Sequence, residues 1–272
     1  MSLTVKPTDT NTESLLNLLQ SSLSERGAVF GDMLELNFPR FEFKILEELM
    51  GGAAMLEQHD CHRSRVRSIA SGVTTLGSKK IVPIYPRRDA SGDYGTYSLP
   101  AELNPDASGE IRKFSHAGND IWDVPAMLAA VQMMKDTTPF KDKWSQRALE
   151  VEATYIGYRV QEDFPAVATP DFPHFDKIDN NSISGVFLLS RENVRGGENF
   201  LIDKNYVNTS MKDVPASAVL EARTLKEPGQ FFVFHETGEH PAHHVMPIRI
   251  DDVRSQGYRS ILTIDIRPTF RG

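Results

Sequence analysis

The sequence predicts an α+β chain with a mainly β core. Hydrophobic residues recur at helical spacing in the first half, and from Leu149 onward the period drops to two. Short apolar runs then follow one another across Gly- and Pro-containing turns with few helical patterns between them. That succession marks a β-sandwich or barrel rather than a parallel α/β sheet. With 272 residues the chain is long enough for one large core. A single domain over 1–272 is expected, with a helical, loop-rich N-terminal layer (1–148) packed on a β core (149–272).

Each element has its own signal. Thr10 and Glu13 have capping-box spacing, and Leu15, Leu19 and Leu23 form the stripe of a first amphipathic helix. A second helix is predicted from about Arg40 to Met50, with Phe41, Ile45 and Leu49 as its stripe and Gly51-Gly52 as its stop. Residues 85–105 are rich in Pro, Gly, Ser and Asp and read as a long loop. A third helix opens at Asp123-Val124-Pro125 and runs to about Lys135, its methionines serving as core filler. Trp122 and Trp144 are expected to anchor the core. In Leu149–Tyr155, apolar residues alternate with Glu150, Glu152 and Thr154, the pattern of a half-buried strand. Further strands are predicted at Gly185–Leu189, Asn199–Ile202, Gln230–Phe234 and Arg259–Ile266, with Gly196-Gly197 and Pro228-Gly229 in the turns.

Composition excludes several classes. Hydrophobic residues make up 40% and charged residues 25%, which fits a globular protein rather than a disordered or coiled-coil chain. No apolar run reaches the roughly 20 residues needed to span a bilayer, and the N-terminus lacks the pattern of a secretory signal. A single cysteine, Cys61, rules out an intrachain disulfide and a thiolate-rich metal site. A cytoplasmic setting is the expectation. Thirty basic against 37 acidic residues give a net charge of −7, with no general attraction for nucleic acid. The densest basic patch, Arg63, Arg65 and Arg67, reads first as a solvated strand face and second as a partner for a charged substrate.

The chemistry concentrates in Thr169–Asp176, TPDFPHFD. In an extended segment the side chains at i and i+2 share a face, so His174 and Asp176 can offer a nitrogen and a carboxylate oxygen to one point. With a second histidine they make a two-histidine, one-carboxylate set that leaves metal positions open. Alone, a His-x-Asp tripeptide is more often a surface hydrogen-bonded pair. Two later features change that balance: His243-His244, and Arg259 at the head of an apolar strand. A guanidinium in such a setting needs an anionic partner, which the far carboxylate of a diacid supplies.

Six segments occur in order: TPDFPHFD, ISGVFLL, RGGEN, LKEPGQFFVF, HHVMPI and YRSILTIDI. On them, Thr169–Pro268 resembles the Fe(II)/2-oxoglutarate dioxygenases, specifically the small bacterial amino-acid hydroxylase group that includes isoleucine 4-hydroxylase. The resemblance implies a double-stranded β-helix (jelly roll) carrying the metal site. It implies Fe(II) held by His174, Asp176 and His243, with Arg259 on the distal carboxylate of the co-substrate 2-oxoglutarate. It also implies O2 as oxidant, succinate and CO2 as products, and a small-molecule substrate, a free L-amino acid or similar. Because Asp176 is present, hydroxylation is expected rather than halogenation. The family often has a His-Gln pair on the strand before the metal motif, where this chain has Ile156-Gly157-Tyr158-Arg159; the departure bears on the substrate.

Adjacent strand residues face opposite ways, so only one of His243 and His244 can face a metal. The family's His-x-Val-x-Pro frame, counted back from Val245 and Pro247, begins at His243. His235 and His240 read as loop residues or as supports beside a ligand. Arg159, Arg65 and Arg112 are candidates for a substrate carboxylate, each weighed against an ordinary ion pair. Two other readings stand beside the oxygenase: a cupin-like metalloenzyme that does not use 2-oxoglutarate, and a non-catalytic β-sandwich binding module. Dependence on Arg259 separates the first, and turnover separates the second.

Overall fold

A computed structural model describes residues 10–56, 65–90, 92–97, 111–161, 172–175, 181–235, 240–252 and 255–269. The chain opens with α1 (Thr10–Arg26), β1 (Ala28–Asp32), α2 (Phe41–Ala53) and β2 (Met55–Leu56). Then come β3 (Arg65–Thr75), β4 (Val82–Ile84), β5 (Arg87–Asp89), β6 (Gly92–Tyr97) and β7 (Arg112–His116). The helices α3 (Pro125–Thr137) and α4 (Lys141–Trp144) lead into β8 (Ala148–Val160). The second half is β9 (Ile183–Glu192), β10 (Val194–Gly196), β11 (Glu198–Ile202), β12 (Val219–Thr224) and β13 (Gln230–Phe234). It closes with β14 (Ala242–Val245), β15 (Ile248–Ile250) and β16 (Gly257–Pro268).

Among the described residues the strands form three sheets. The large one runs β1-β13-β9-β16-β8-β3-β7-β6-β5, with β2 and β4 also paired to β3. Opposite it lie β12-β11-β14 and the pair β10-β15. All pairs are antiparallel except β3 with β7. The chain is thus mostly β with few helices, consistent with the expected jelly-roll type of fold.

The predicted second-half strands all form. The first half contributes more strand than expected: β1 and β3–β7 all join the large sheet. The stretch read as a long loop holds the β5–β6 hairpin, whose second strand pairs with β7. A Gly- and Pro-rich composition signals turns, and here it also marks short edge strands.

One face of the large sheet packs against helices. Leu149, Val151, Ala153 and Tyr155 of β8 share a cluster with Leu19 and Leu23 of α1, Phe43, Leu46 and Met50 of α2, Met127 and Met134 of α3, and both Trp122 and Trp144. The other face looks between the sheets, where Ile156, Tyr158 and Ile261 meet Leu188, Leu201, Phe232 and Ile248. Strand β8 is therefore covered on both faces. Glu152 and Thr154, expected to face solvent, are buried on the inner face. Their alternation reported two different faces correctly, but the polar one lines the interior.

Helix α2 corrects its predicted stripe. Phe41, Ile45 and Leu49 are 62%, 39% and 40% exposed, while Phe43, Leu46 and Met50 are fully buried. Both sets fit helical spacing, so the period alone does not choose between them. The sheet chooses. Phe43 stacks on Phe187 of β9 with ring centres 6.4 Å apart, and a Cβ on Gly229 would lie 3.0 Å from its ring. Gly51 and Gly52 lie inside the helix and do not stop it. A Cβ on Gly51 would come within 3.0 Å of the Tyr155 hydroxyl, so the glycine permits close approach to β8.

His235 follows β13 beneath α1. Its Nε2 donates to Leu23 O at 3.0 Å, its main-chain N–H donates to Gly27 O, and the His240 ring stands edge-on at 4.3 Å. Burial, and next the neighbouring His240, push its pKa from 6.5 down to about 4, against the pull of the Leu23 carbonyl.

Two outcomes are expected from this packing. Phe43→Ala should lose about 3–5 kcal/mol of unfolding free energy, and Ile45→Ala should change it by about 0.5 kcal/mol, both measured by urea unfolding at neutral pH. For His235, the unfolded chain binds a proton between pH 6.5 and about 4 that the folded chain does not. Stability should therefore fall as the pH is lowered through that window, by on the order of 3 kcal/mol. His235→Gln should flatten that part of the stability profile.

Candidate metal centre

The segment Phe172–Phe175 runs beside β14. His174 N–H donates to His243 O at 3.0 Å, and His243 N–H donates to His174 O at 3.2 Å, an isolated antiparallel bridge. Residues that exchange both main-chain hydrogen bonds lie directly opposite and share a face. Their imidazoles accordingly sit together, with ring centres 4.3 Å apart and planes at 57°. Asn208 N–H donates to Pro173 O at 2.9 Å and pins the same segment from its other side.

His174 Nδ1 lies 2.8 Å from Phe172 O. A carbonyl can only accept, so Nδ1 carries the proton and Nε2 keeps the lone pair that a metal requires. The His243 ring also packs against Phe234 at 4.7 Å. In β14 the residues pair as Leu201 with His243 and Phe200 with His244. His244 therefore turns the other way, its ring 6.4 Å from that of Phe200. Of the two neighbours, it is His243 that meets His174.

Asp176 lies outside the described residues, as do Arg63, His59, Cys61 and His62. Among the described residues no group of three His, Cys, Asp or Glu side chains is assembled around a metal position.

Arg259 enters from the opposite sheet. Its register partners are Tyr158 on β8 and Arg191 on β9, and Tyr158 is in turn paired with Arg65 on β3. Cross-strand partners share a face, so Arg65, Tyr158, Arg259 and Arg191 form one row on the inner surface. Arg259 is 1% exposed, and its Nε and Nη2 have no hydrogen-bond partner among the described residues. Burial pushes its pKa down to about 10; Tyr158 and Glu198 act to raise it and Arg191 to lower it. Gly197 leaves open the space beside the guanidinium. It has φ +71°, and a Cβ there would lie 3.6 Å from Arg259 Cζ. Two imidazoles on one sheet and a buried cation with free donors on the other fit a metal ion chelated by a diacid.

The arginine expectations divide. Arg65 is buried on the inner face, and so is Arg67, which corrects the reading of this patch as solvated. Burial is tolerated for Arg67 in part by the Phe114 ring, 5.2 Å from its guanidinium carbon; Arg112 stands 5.7 Å from the same ring. Arg159 is exposed on the face of β8 opposite Tyr158, and the structure does not bring it to the site. Arg191 escaped the sequence reading for a physical reason. Val186 and Leu188 face inward, so strict alternation would send Ser190 in and Arg191 out. An irregularity beside Leu189 shifts the β9–β16 register, and Arg191 comes opposite Arg259. Ser190 instead faces α2, where it and Ser260 both donate to Glu47.

Comparison with known proteins gives a family and a shared fold. A family model described as 2OG-Fe dioxygenase matches residues 88–265. A crystal structure of a bsmA homolog from Methylobium petroleophilum PM1 shares the fold with a TM-score of 0.71 at 18% identity, covering 94% of this chain and 95% of that one. The crystal structure of IDO from Bacillus thuringiensis aligns with a TM-score of 0.63 at 16% identity, over 94% of this chain and 99% of that one. The Fe(II)/(alpha)ketoglutarate-dependent dioxygenase TqaL gives a TM-score of 0.63 at 10% identity, over 96% of this chain and 89% of that one. No curated protein sequence matches significantly. No helix among the described residues is long and apolar enough to cross a membrane. The family match spans well over half of the chain, and the protein belongs to the 2OG-Fe dioxygenase family, whose reaction draws on Fe(II), 2-oxoglutarate and O2.

Proposed function

We propose that this oxygenase hydroxylates a free L-amino acid or a similar small polar molecule, with His174, Asp176 and His243 as iron ligands and Arg259 as the anchor of 2-oxoglutarate. The observation that carries the ligand assignment is the pairing of the His174 and His243 imidazoles across a main-chain bridge. Asp176 joins the set by the i, i+2 rule and by the family resemblance of TPDFPHFD. The amino-acid substrate rests on the resemblance to the group that includes isoleucine 4-hydroxylase.

Iron and 2-oxoglutarate held by these residues would supply the activation of O2, with succinate and CO2 as products and one oxygen atom available to the substrate. The chain's own residues prepare that step. Phe172 O holds the His174 tautomer that keeps the lone pair on Nε2. Phe234, stacked on Phe232 and in contact with His243, keeps an apolar wall on one side of the imidazoles and excludes water there. Arg259 neutralises the distal carboxylate inside the protein, where its donors have no other described partner. Arg65, on the same inner row, is the nearest of the proposed cations for a substrate carboxylate, and Arg112 lies farther along the sheet.

The test is succinate formation from 2-oxoglutarate with Fe(II) and a panel of L-amino acids, with mass spectrometry for a gain of one oxygen. Stimulation by one or a few amino acids is expected; no stimulation and no uncoupled turnover would remove the proposal. His243→Ala should weaken metal binding by more than the roughly 100-fold seen when only a ligand's supporting partner is lost, and His244→Ala should not. Asp176→Ala should abolish turnover with an unchanged melting profile. Arg259→Gln should weaken 2-oxoglutarate binding on the order of 100-fold, the loss expected for one partner of a buried charge pair.

A further inference from the structure

Arg191 is only partly used by the fold. Its Nη2 donates to Val194 O at 3.1 Å and to Gly196 O at 2.9 Å, which holds the turn before β11. Its Nη1 is buried and has no hydrogen-bond partner among the described residues, the same condition as Nε and Nη2 of Arg259. The two arginines are directly opposite across β9 and β16. Gly197 locates the space they share, since a Cβ on it would lie 3.6 Å from Arg191 Nη1 and 3.6 Å from Arg259 Cζ. Side-chain atoms from both strands thus converge over a residue that has none.

Like charges opposite one another on a sheet repel, and burying the Arg259 guanidinium without an anion is costly. Glu198 is near enough to act on both guanidiniums and Asp251 on that of Arg191, yet neither carboxylate accepts from Arg191 Nη1 or from Nε and Nη2 of Arg259. One carboxylate offers two oxygens and about four lone-pair sites, enough to accept from both arginines at once. Arg191 is half-buried, but its Nη1 is a buried donor without a partner among the described residues, beside the same space over Gly197.

We propose that Arg191 is a second anchor for the distal carboxylate of 2-oxoglutarate, gripping it together with Arg259 above Gly197. This rests on the assignment of Arg259 as the co-substrate anchor. The consequence is selectivity. A 2-oxo acid that ends in a methyl group leaves the buried guanidinium of Arg259 and the buried Nη1 of Arg191 without an acceptor, so discrimination against it exceeds what one arginine provides. Arg191 is then a specificity-determining residue as well as a brace for the turn.

The experiment is calorimetric titration of the full chain, loaded with Ni(II) as a redox-inert metal, with 2-oxoglutarate and with 2-oxopentanoate, which lacks the distal carboxylate. In Arg191→Gln, 2-oxoglutarate affinity should fall roughly 10- to 100-fold while 2-oxopentanoate affinity stays within about twofold. If Arg191 only braces the turn, both acids weaken together or neither does, and either result overturns the proposal. Arg191→Lys keeps the charge without the fork and should lose part of the preference. Should the Gln variant not fold, an unchanged ratio of affinities in the Lys variant overturns the proposal equally. Arg259→Gln separates the underlying assignment. If that variant keeps the wild-type preference for 2-oxoglutarate, the Arg259 assignment fails; if only Arg191→Gln keeps it, the second anchor alone is wrong.

Discussion

The exchange of main-chain hydrogen bonds between His174 and His243 governs how the rest of the site is organised. The two residues are far apart in the chain, and the segment carrying His174 has little other regular pairing among the described residues. The bridge sets their Cα positions opposite one another and so decides which side chains face the interior. A slip of one residue would replace His243 by His244 and turn the pair away from the cavity. Because the constraint lies in the backbone, the spacing of the imidazoles does not depend on a metal to draw them together. Phe234 and the Phe172 carbonyl then refine ring orientation on a frame already in place.

The second constraint is electrostatic. The chain carries a net charge of −7, yet the inner face of its main sheet presents Arg65, Arg259 and Arg191 in one cross-strand row, with Arg67 on the neighbouring row. Net charge describes how the molecule behaves towards bulk solvent and says little about what its cavity will accept. The buried guanidinium of Arg259 is tolerable in a folded protein when an anion compensates it, and a dicarboxylate could supply one.

Much of this was legible in the sequence, for reasons that can be named. Strand positions followed from alternation, and the two tryptophans from size and composition. The His-x-Asp motif with its later histidine and arginine carried a recognisable order. What escaped was everything that depends on the covering layer. Alternation in β8 told Leu149 from Glu150 but not solvent from cavity, so Glu152 and Thr154 were assigned to the outside. Helical spacing in α2 admitted two apolar stripes, and only Phe187 and Gly229 selected Phe43 over Phe41. Arg65 and Arg67 looked like a solvated patch because no local signal reports a second sheet packed above. Arg191 was hidden by an irregularity of one residue, which reverses every inward and outward assignment beyond it.

That irregularity joins two tasks that adjoining residues would otherwise keep apart. Ser190 is tied on the outside to Glu47 of α2, together with Ser260, whose Oγ lies 2.8 Å from that carboxylate. Arg191, one peptide unit later, reaches inward. A single joint in the chain thus carries a helix contact on its outer side and a cation on its inner side. The hold of α2 on Ser190 and the placement of Arg191 are set by the same turn of the backbone.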